Sequence, residues 1–168
     1  METIAVYWES RIKVYGITGK PGLAMGVLQF PANRTAHWGE RIMELEGALQ
    51  RFELVTCHGA DQERMELFLF IEDTGRDIMV KLMNQWLESE TAAQFSMKGP
   101  VDMVFLHGPH FQDRFGIAET AFSALAKESI PIVLSGCAGT SMYLVHPEGQ
   151  GAAAMRILTD TFLIPTSA

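Results

Sequence analysis

Only two cysteines occur in the 168 residues, Cys57 and Cys137. Two distant thiols make no disulfide framework and fit reduced side chains in a cytoplasmic protein. Long apolar runs are missing as well. No stretch approaches the roughly 20 residues that a membrane-spanning helix needs. The N-terminus lacks the basic-then-apolar pattern of a secretory signal. Basic residues are in deficit, 13 Lys and Arg against 20 Asp and Glu, for a formal charge of −7. With no basic stripe to offset it, that balance argues against a nucleic-acid surface. A Gly-rich phosphate loop with its lysine is absent, so phosphoryl transfer is not expected. No Cys, His and carboxylate cluster has the spacing of a tetrahedral metal set, and neither a metal nor a cofactor is expected. Low-complexity segments, the usual mark of disorder, are also lacking.

What the chain does have is apolar residues, 48% of it, enough for a real core. The pattern is clearest over 101–164. A β-branched and aromatic run at 101–107 is closed by Gly108-Pro109. Residues 115–128 place Ile117, Ala121, Phe122, Leu125 and Ala126 on one helical face. A short apolar run at 130–134 stops at Ser135-Gly136, and 140–146 alternates as a strand does. An Ala-rich helix at 149–159 and a closing strand at 162–164 complete the order β-α-β-β-α-β. That is the ferredoxin-like arrangement, with both helices on one face of an antiparallel sheet.

The upstream half repeats the order. Strands are expected at 11–18, 52–57, 65–72 and 92–97, and helices at 37–52 and 77–88. The first helix should bury Ile42, Leu45, Leu49 and Phe52, the second Ile78, Leu82, Met83 and Trp86. An additional strand is expected at 4–8, and 23–30 reads equally as helix or strand because Gly26 weakens either. The chain is therefore read as a duplicated α+β unit, 1–98 and 101–168, divided at Lys98-Gly99-Pro100. Units of roughly 60–90 residues are marginal alone, so they should pack on each other or on a second chain.

Several residues invite a chemical reading. Cys57-His58 has the look of a nucleophile and base, but neighbours on a strand point to opposite faces. Cys137 falls in a small-residue turn. His107 and His110 flank Gly108-Pro109 and read as a surface loop, and Asp113 reads as an N-cap for the helix that follows. The methionines fall mostly on apolar stripes, as core filling does. Pro21-Gly22 has two readings: a turn between elements, or a ligand loop.

The second reading comes from a resemblance. The strand at 11–17 followed by Pro21-Gly22-Leu23-Ala24, and Phe115-Gly116-Ile117-Ala118 with Phe122-Ser123-Ala124-Leu125-Ala126 and Ile130-Pro131-Ile132, resemble the tandem ACT domains at the regulatory end of aspartokinases. The resemblance implies a small-molecule ligand, an amino acid or a related metabolite, held where the loop after the first strand meets the next helix. Carried over, the site consists of Thr18, Gly19, Lys20, Gly22, Leu23 and Ala24, with main-chain groups around Pro131 and Ile132. It departs from the family pattern at Gly19, Phe115 and Pro131, where an acid, a proline and an asparagine are usual. It also implies a regulatory protein and not an enzyme, since no kinase portion accompanies it. A homodimer, and a partner enzyme that receives the signal, are the expected partners. The alternative is a dimerisation or docking module that has lost its ligand.

Overall fold

The computed structural model describes residues 11–108 and 116–165. The expected strand at 4–8, His110, Asp113 and Phe115 lie outside the described residues. The elements in chain order are β1 (Gly16–Pro31), α1 (Thr35–Leu49), β2 (Leu54–Gly59), β3 (Arg64–Glu72), α2 (Arg76–Leu87), β4 (Gln94–His107), α3 (Ile117–Lys127), β5 (Leu134–Ala138), β6 (Ser141–Pro147) and α4 (Gly151–Thr161). The class is α+β with antiparallel strand pairing and ACT-like topology, as expected.

The chain forms two compact units, one continuous (Pro21–Val101) and one split, in which residues up to Lys20 join those from Asp102 onward. This differs from a single cut at 98–101. Strands β1 and β4 each run through both units, and a Pro/Gly pair lies close to each crossing. Gly22 has φ 69° and Gly99 φ 90°, backbone that glycine adopts without steric cost. Pro21-Gly22 is thus a kink inside a strand and not a turn, and Lys98-Gly99-Pro100 lies within β4 and not in a linker.

In the continuous unit the strand order is β2-β3-β1-β4. The ambiguous segment 23–30 is the unit's first strand, with Leu23 opposite Glu72 and Pro31 opposite Arg64. It reads as a continuous apolar run because residues 23–28 are all buried, so the alternation of a one-sided strand is absent. Gly26 sits under α2, where an added Cβ would lie 2.9 Å from Phe95 and 3.1 Å from Met79. The core holds Leu28, Phe30, Leu69 and Ile71 from the sheet, with Trp38, Leu45, Met79, Met83 and Trp86 from the helices. Each such side chain contributes about 1.5–3 kcal/mol on burial. The buried stripe of α2 is Met79-Met83-Trp86, with Leu82 packed against the core; Met83 and Trp86 stand as expected, while Ile78 is exposed and Met79 takes its place. Phe52 lies beyond the end of α1 and Trp38 takes a core position instead.

In the split unit the order is β1-β4-β6-β5. Its fourth strand is the N-terminal part of β1, residues 16–20, which sequence order had assigned to the other unit. The expected closing strand at 162–164 reduces to one parallel bridge, Lys13 with Leu163. Strand β5 starts at Leu134, the last residue of the apolar run that was read as a strand, and Cys137 is in β5. Val14, Val104, Leu106, Met142 and Leu144 pack against Ile117, Ala121 and Leu125 of α3 and Ala154 and Leu158 of α4. Arg11 ties the stretch that leads into β1 to the end of α4. Its guanidinium donates to the carbonyls of Thr161 (3.2 Å), Phe162 (2.8 Å) and Asp160. A cation there meets the carbonyls that the last helical turn leaves unpaired.

Candidate ligand-binding site

Each unit has one junction where its first strand leads toward its first helix. In the continuous unit this is Pro31, the short 3-10 turn Ala32–Arg34 and the start of α1. Several of its polar groups are engaged internally, while the buried Trp38 Nε1 and His37 Nε2 have no hydrogen-bond partner among the described residues. Arg34 pairs with Glu90, His37 Nε2 lies 3.4 Å from the same carboxylate, and the Thr35 hydroxyl donates to the Ala32 carbonyl at 2.7 Å.

The split unit is different. At the end of β4, His107 bridges two hydroxyls from neighbouring strands. Its Nε2 lies 2.9 Å from Thr18 Oγ1 on β1, and its Nδ1 lies 2.8 Å from Ser141 Oγ on β6. Alternation along β4 puts His107 on the face opposite Val104 and Leu106, away from the helices. Phe105, two residues earlier, stacks on the ring at 5.9 Å between centroids. Backbone bonds hold the strand end, with Tyr15 N donating to the His107 carbonyl and Gly108 N to the Thr140 carbonyl.

The chemistry of the chain is directional. A neutral imidazole donates from one nitrogen and accepts at the other. One hydroxyl therefore donates to the ring while the other accepts from it. Thr18 is exposed, and its oxygen has capacity beyond the bond to the ring. A ligand acceptor that takes the Thr18 proton makes Thr18 accept from Nε2–H and Ser141 donate to Nδ1. The bound group thereby selects the tautomer.

The other expected site residues are dispersed. Gly19 faces α4, where an added Cβ would lie 2.3 Å from Met155 Sδ, so the position has no room for the acid of the family pattern. Lys20 ends the split unit's part of β1. Gly22, Leu23 and Ala24 continue β1 in the continuous unit, and Leu23 and Ala24 are buried in the sheet. They are strand residues and not a loop entering a helix. Pro131 and Ile132 precede β5, and the Pro131 carbonyl accepts from His146 Nδ1 at 2.8 Å.

Solved structures supply the comparison. The regulatory subunit of aspartate kinase from Thermus flavus matches with a TM-score of 0.77 at 12% identity, covering 90% of this chain and 99% of that one. Aspartate kinase from Synechocystis matches with a TM-score of 0.76 at 14% identity, covering 95% of this chain and 29% of that one. E. coli aspartokinase III in complex with lysine and aspartate matches with a TM-score of 0.58 at 12% identity, over 92% of this chain and 34% of that one. The fold is that of the ACT-like regulatory domains of aspartokinases. At these identities the likeness is one of fold. No family model matches the chain, and no curated protein sequence does.

His107 and Ser141 were not among the expected ligand residues of this ACT-like chain. No local spacing marks them, because the bonded pairs are 89 and 34 residues apart. Cys57 and His58 do not form a catalytic pair. His58 Nε2 lies 3.1 Å from the Thr56 hydroxyl, and partial burial pushes the Cys57 thiol up, away from thiolate. No group of three or more His, Cys, Asp or Glu suited to a metal occurs among the described residues. No helix among them is long and apolar enough to cross a membrane.

Proposed function

We propose that the protein is a regulatory small-molecule sensor of tandem ACT type, and that its ligand, an amino acid or a close metabolite, binds at the Thr18–His107–Ser141 chain. The observation that carries this reading is the chain itself: three polar side chains from three strands, aligned on the helix-free face and ending at an exposed hydroxyl. An amino-acid carboxylate is a fitting acceptor for Thr18, because a charged acceptor strengthens the bond and polarises the chain behind it. Solved structures of this fold include the regulatory subunit of an aspartate kinase, and aspartokinase III, of which the match covers 34%, was solved in complex with lysine and aspartate. The sensor has no chemistry of its own. It acts by linkage, favouring the conformation or the homodimeric assembly that binds the ligand better, and a partner enzyme receives the change.

The test is a thermal-shift screen of the purified chain against the amino acids and their near derivatives. A ligand at a hundred times its Kd stabilises by about 2.7 kcal/mol. For a chain of this size that is a rise in Tm of about 5–11 °C. Thr18→Val and Ser141→Ala should each weaken the hit about fivefold, the worth of one hydrogen bond. Silence across the panel, or a hit that both variants leave unchanged, would remove the site. The Arg34–Glu90 ion pair favours a second reading for the continuous unit, as a docking module whose own junction is closed internally.

A further inference from the structure

A cavity of about 490 Å³ lies wholly within the continuous unit, between the end of α1 and the start of α2. Its size falls in the range of small-molecule sites, roughly 300–1,000 Å³. Leu49 and Ile71 form its apolar side and pack on the bare α-carbon of Gly75, where a Cβ would lie 2.8 Å from Leu49 and 3.2 Å from Ile71. The polar side is unusual in its distribution of burial. The Glu53 side chain is only 7% exposed, yet its cation, Arg51, is 65% exposed. Arg51 also lies 3.8 Å from Glu72, whose side chain is 70% exposed. The lining thus carries two carboxylates and one guanidinium. The main chain beneath the carboxylate is held to β3, since Glu53 N donates to the Phe70 carbonyl at 2.8 Å.

A buried carboxylate has to keep a cation, because an isolated buried charge is costly. The cation it keeps here is held from solvent on a long, rotatable arm. An ion pair with an exposed partner is weak, and exchanging it for another cation leaves Glu53 compensated throughout. We propose that this pocket binds an organic cation, a primary ammonium or guanidinium on a short apolar stem, which replaces Arg51 at Glu53 and lays its stem on Leu49 and Ile71. The incoming cation gains apolar burial that the exposed stem of Arg51 does not make. The single negative charge in excess selects against anions. The inference does not depend on the reading of the Thr18–His107–Ser141 chain.

The experiment uses the full chain with n-butylammonium and n-butylguanidinium chloride as probes. Sodium butyrate and sodium chloride, matched in ionic strength, are the controls. Calorimetric titration and amide NMR should show saturable binding of the cations, with shifts at Gln50, Arg51, Thr74 and Gly75, and none with butyrate. Arg51→Ala should tighten binding about fivefold by removing the internal competitor, the factor matching an exposed ion pair. Glu53→Gln should abolish it, and Glu72→Gln should weaken it. The opposite signs at Arg51 and Glu53 separate a binding role from a structural one, which both variants would impair alike. Should Glu53→Gln fail to fold, the tightening by Arg51→Ala and the weakening by Glu72→Gln still decide. Absence of cation binding to both the wild-type chain and Arg51→Ala, equal binding of butyrate, or weaker binding by Arg51→Ala would overturn the proposal.

Discussion

Asp102 offers the sharpest test of how the split unit is held together. It stands where β4 enters that unit, is 3% exposed, and its Oδ2 accepts from Gly151 N at 2.9 Å. Gly151 begins α4 and is itself buried, so no water stands ready to replace the carboxylate. A hydrogen bond to a charged acceptor contributes about 1.5–3 kcal/mol. A negative charge at a helix N-terminus adds about 0.3–1 kcal/mol. Asp102→Ala should therefore cost about 2–4 kcal/mol, a fall in Tm of about 4–16 °C for a chain of this length. Asp102→Asn keeps an acceptor of the same shape and loses the charge, so it should cost about half as much. Gly151→Ala perturbs the same contact from the other side, since its Cβ would lie 2.7 Å from that of Asp102. Scanning calorimetry gives the stability, and hydrogen exchange at the Gly151 amide gives the local opening. An Asp102→Ala protein within 0.5 kcal/mol of wild type, or with unaltered protection at Gly151, would refute the reasoning.

Two further predictions follow from strained or buried groups. His146 is fully buried; its Nδ1–H donates to the Pro131 carbonyl, and its Nε2 has no hydrogen-bond partner among the described residues. Burial pushes its pKa below the ordinary 6.5, against the opposing pull of the Pro131 carbonyl and Asp102. The unfolded chain then binds the proton first, so stability is complete above pH 6.5 and is lost as pH falls toward the folded value, at no more than about 1.4 kcal/mol per unit. Urea melts between pH 7.5 and 5.5 should show this slope, and His146→Gln should flatten it; an unchanged slope in the variant would assign the effect elsewhere. Gln50 ends α1 at φ 71°, where a side chain is strained and glycine is not. Gln50→Gly should raise stability by about 1 kcal/mol, read as a shift in denaturation midpoint at constant m-value, and a loss of stability would deny the strain.

The elements that the sequence reveals are those with local causes. The strand at 65–72 and the helices near 77–88 and 149–159 follow from periodicity and stand close to where it puts them. The segment 23–30 was ambiguous for a physical reason. It is buried on both faces and carries Gly26 to admit Met79 and Phe95, so neither period survives. At the start of α2 Met79 takes the core place expected of Ile78, because both are apolar neighbours and it is Met79 that meets the bare α-carbon of Gly26. Pro21-Gly22 and Gly99-Pro100 are real punctuation, but they mark where a strand passes from one unit to the other and not where it stops.

The site was less legible, because it depends on which unit the N-terminal strand completes. Assigned to the unit that follows it, Thr18 ends a strand that leads into a loop, and His107 ends another strand 89 positions away in the other unit. Assigned to the split unit, the same threonine lies beside β4, and the imidazole between it and Ser141 becomes a single polar path across three strands. No spacing rule predicts that exchange, since the partners in the sheet are far apart in sequence. The closing strand at 162–164 makes only one bridge, and the N-terminal segment takes the place beside β4. Loosening that segment therefore should disturb the polar chain as well as the sheet. Arg11, which fastens it to the last carbonyls of α4, lies at the entrance to the strand that carries Thr18. A ligand on Thr18 would in this way bear on the attachment of residues 11–15, a coupling that the proposed sensor could transmit.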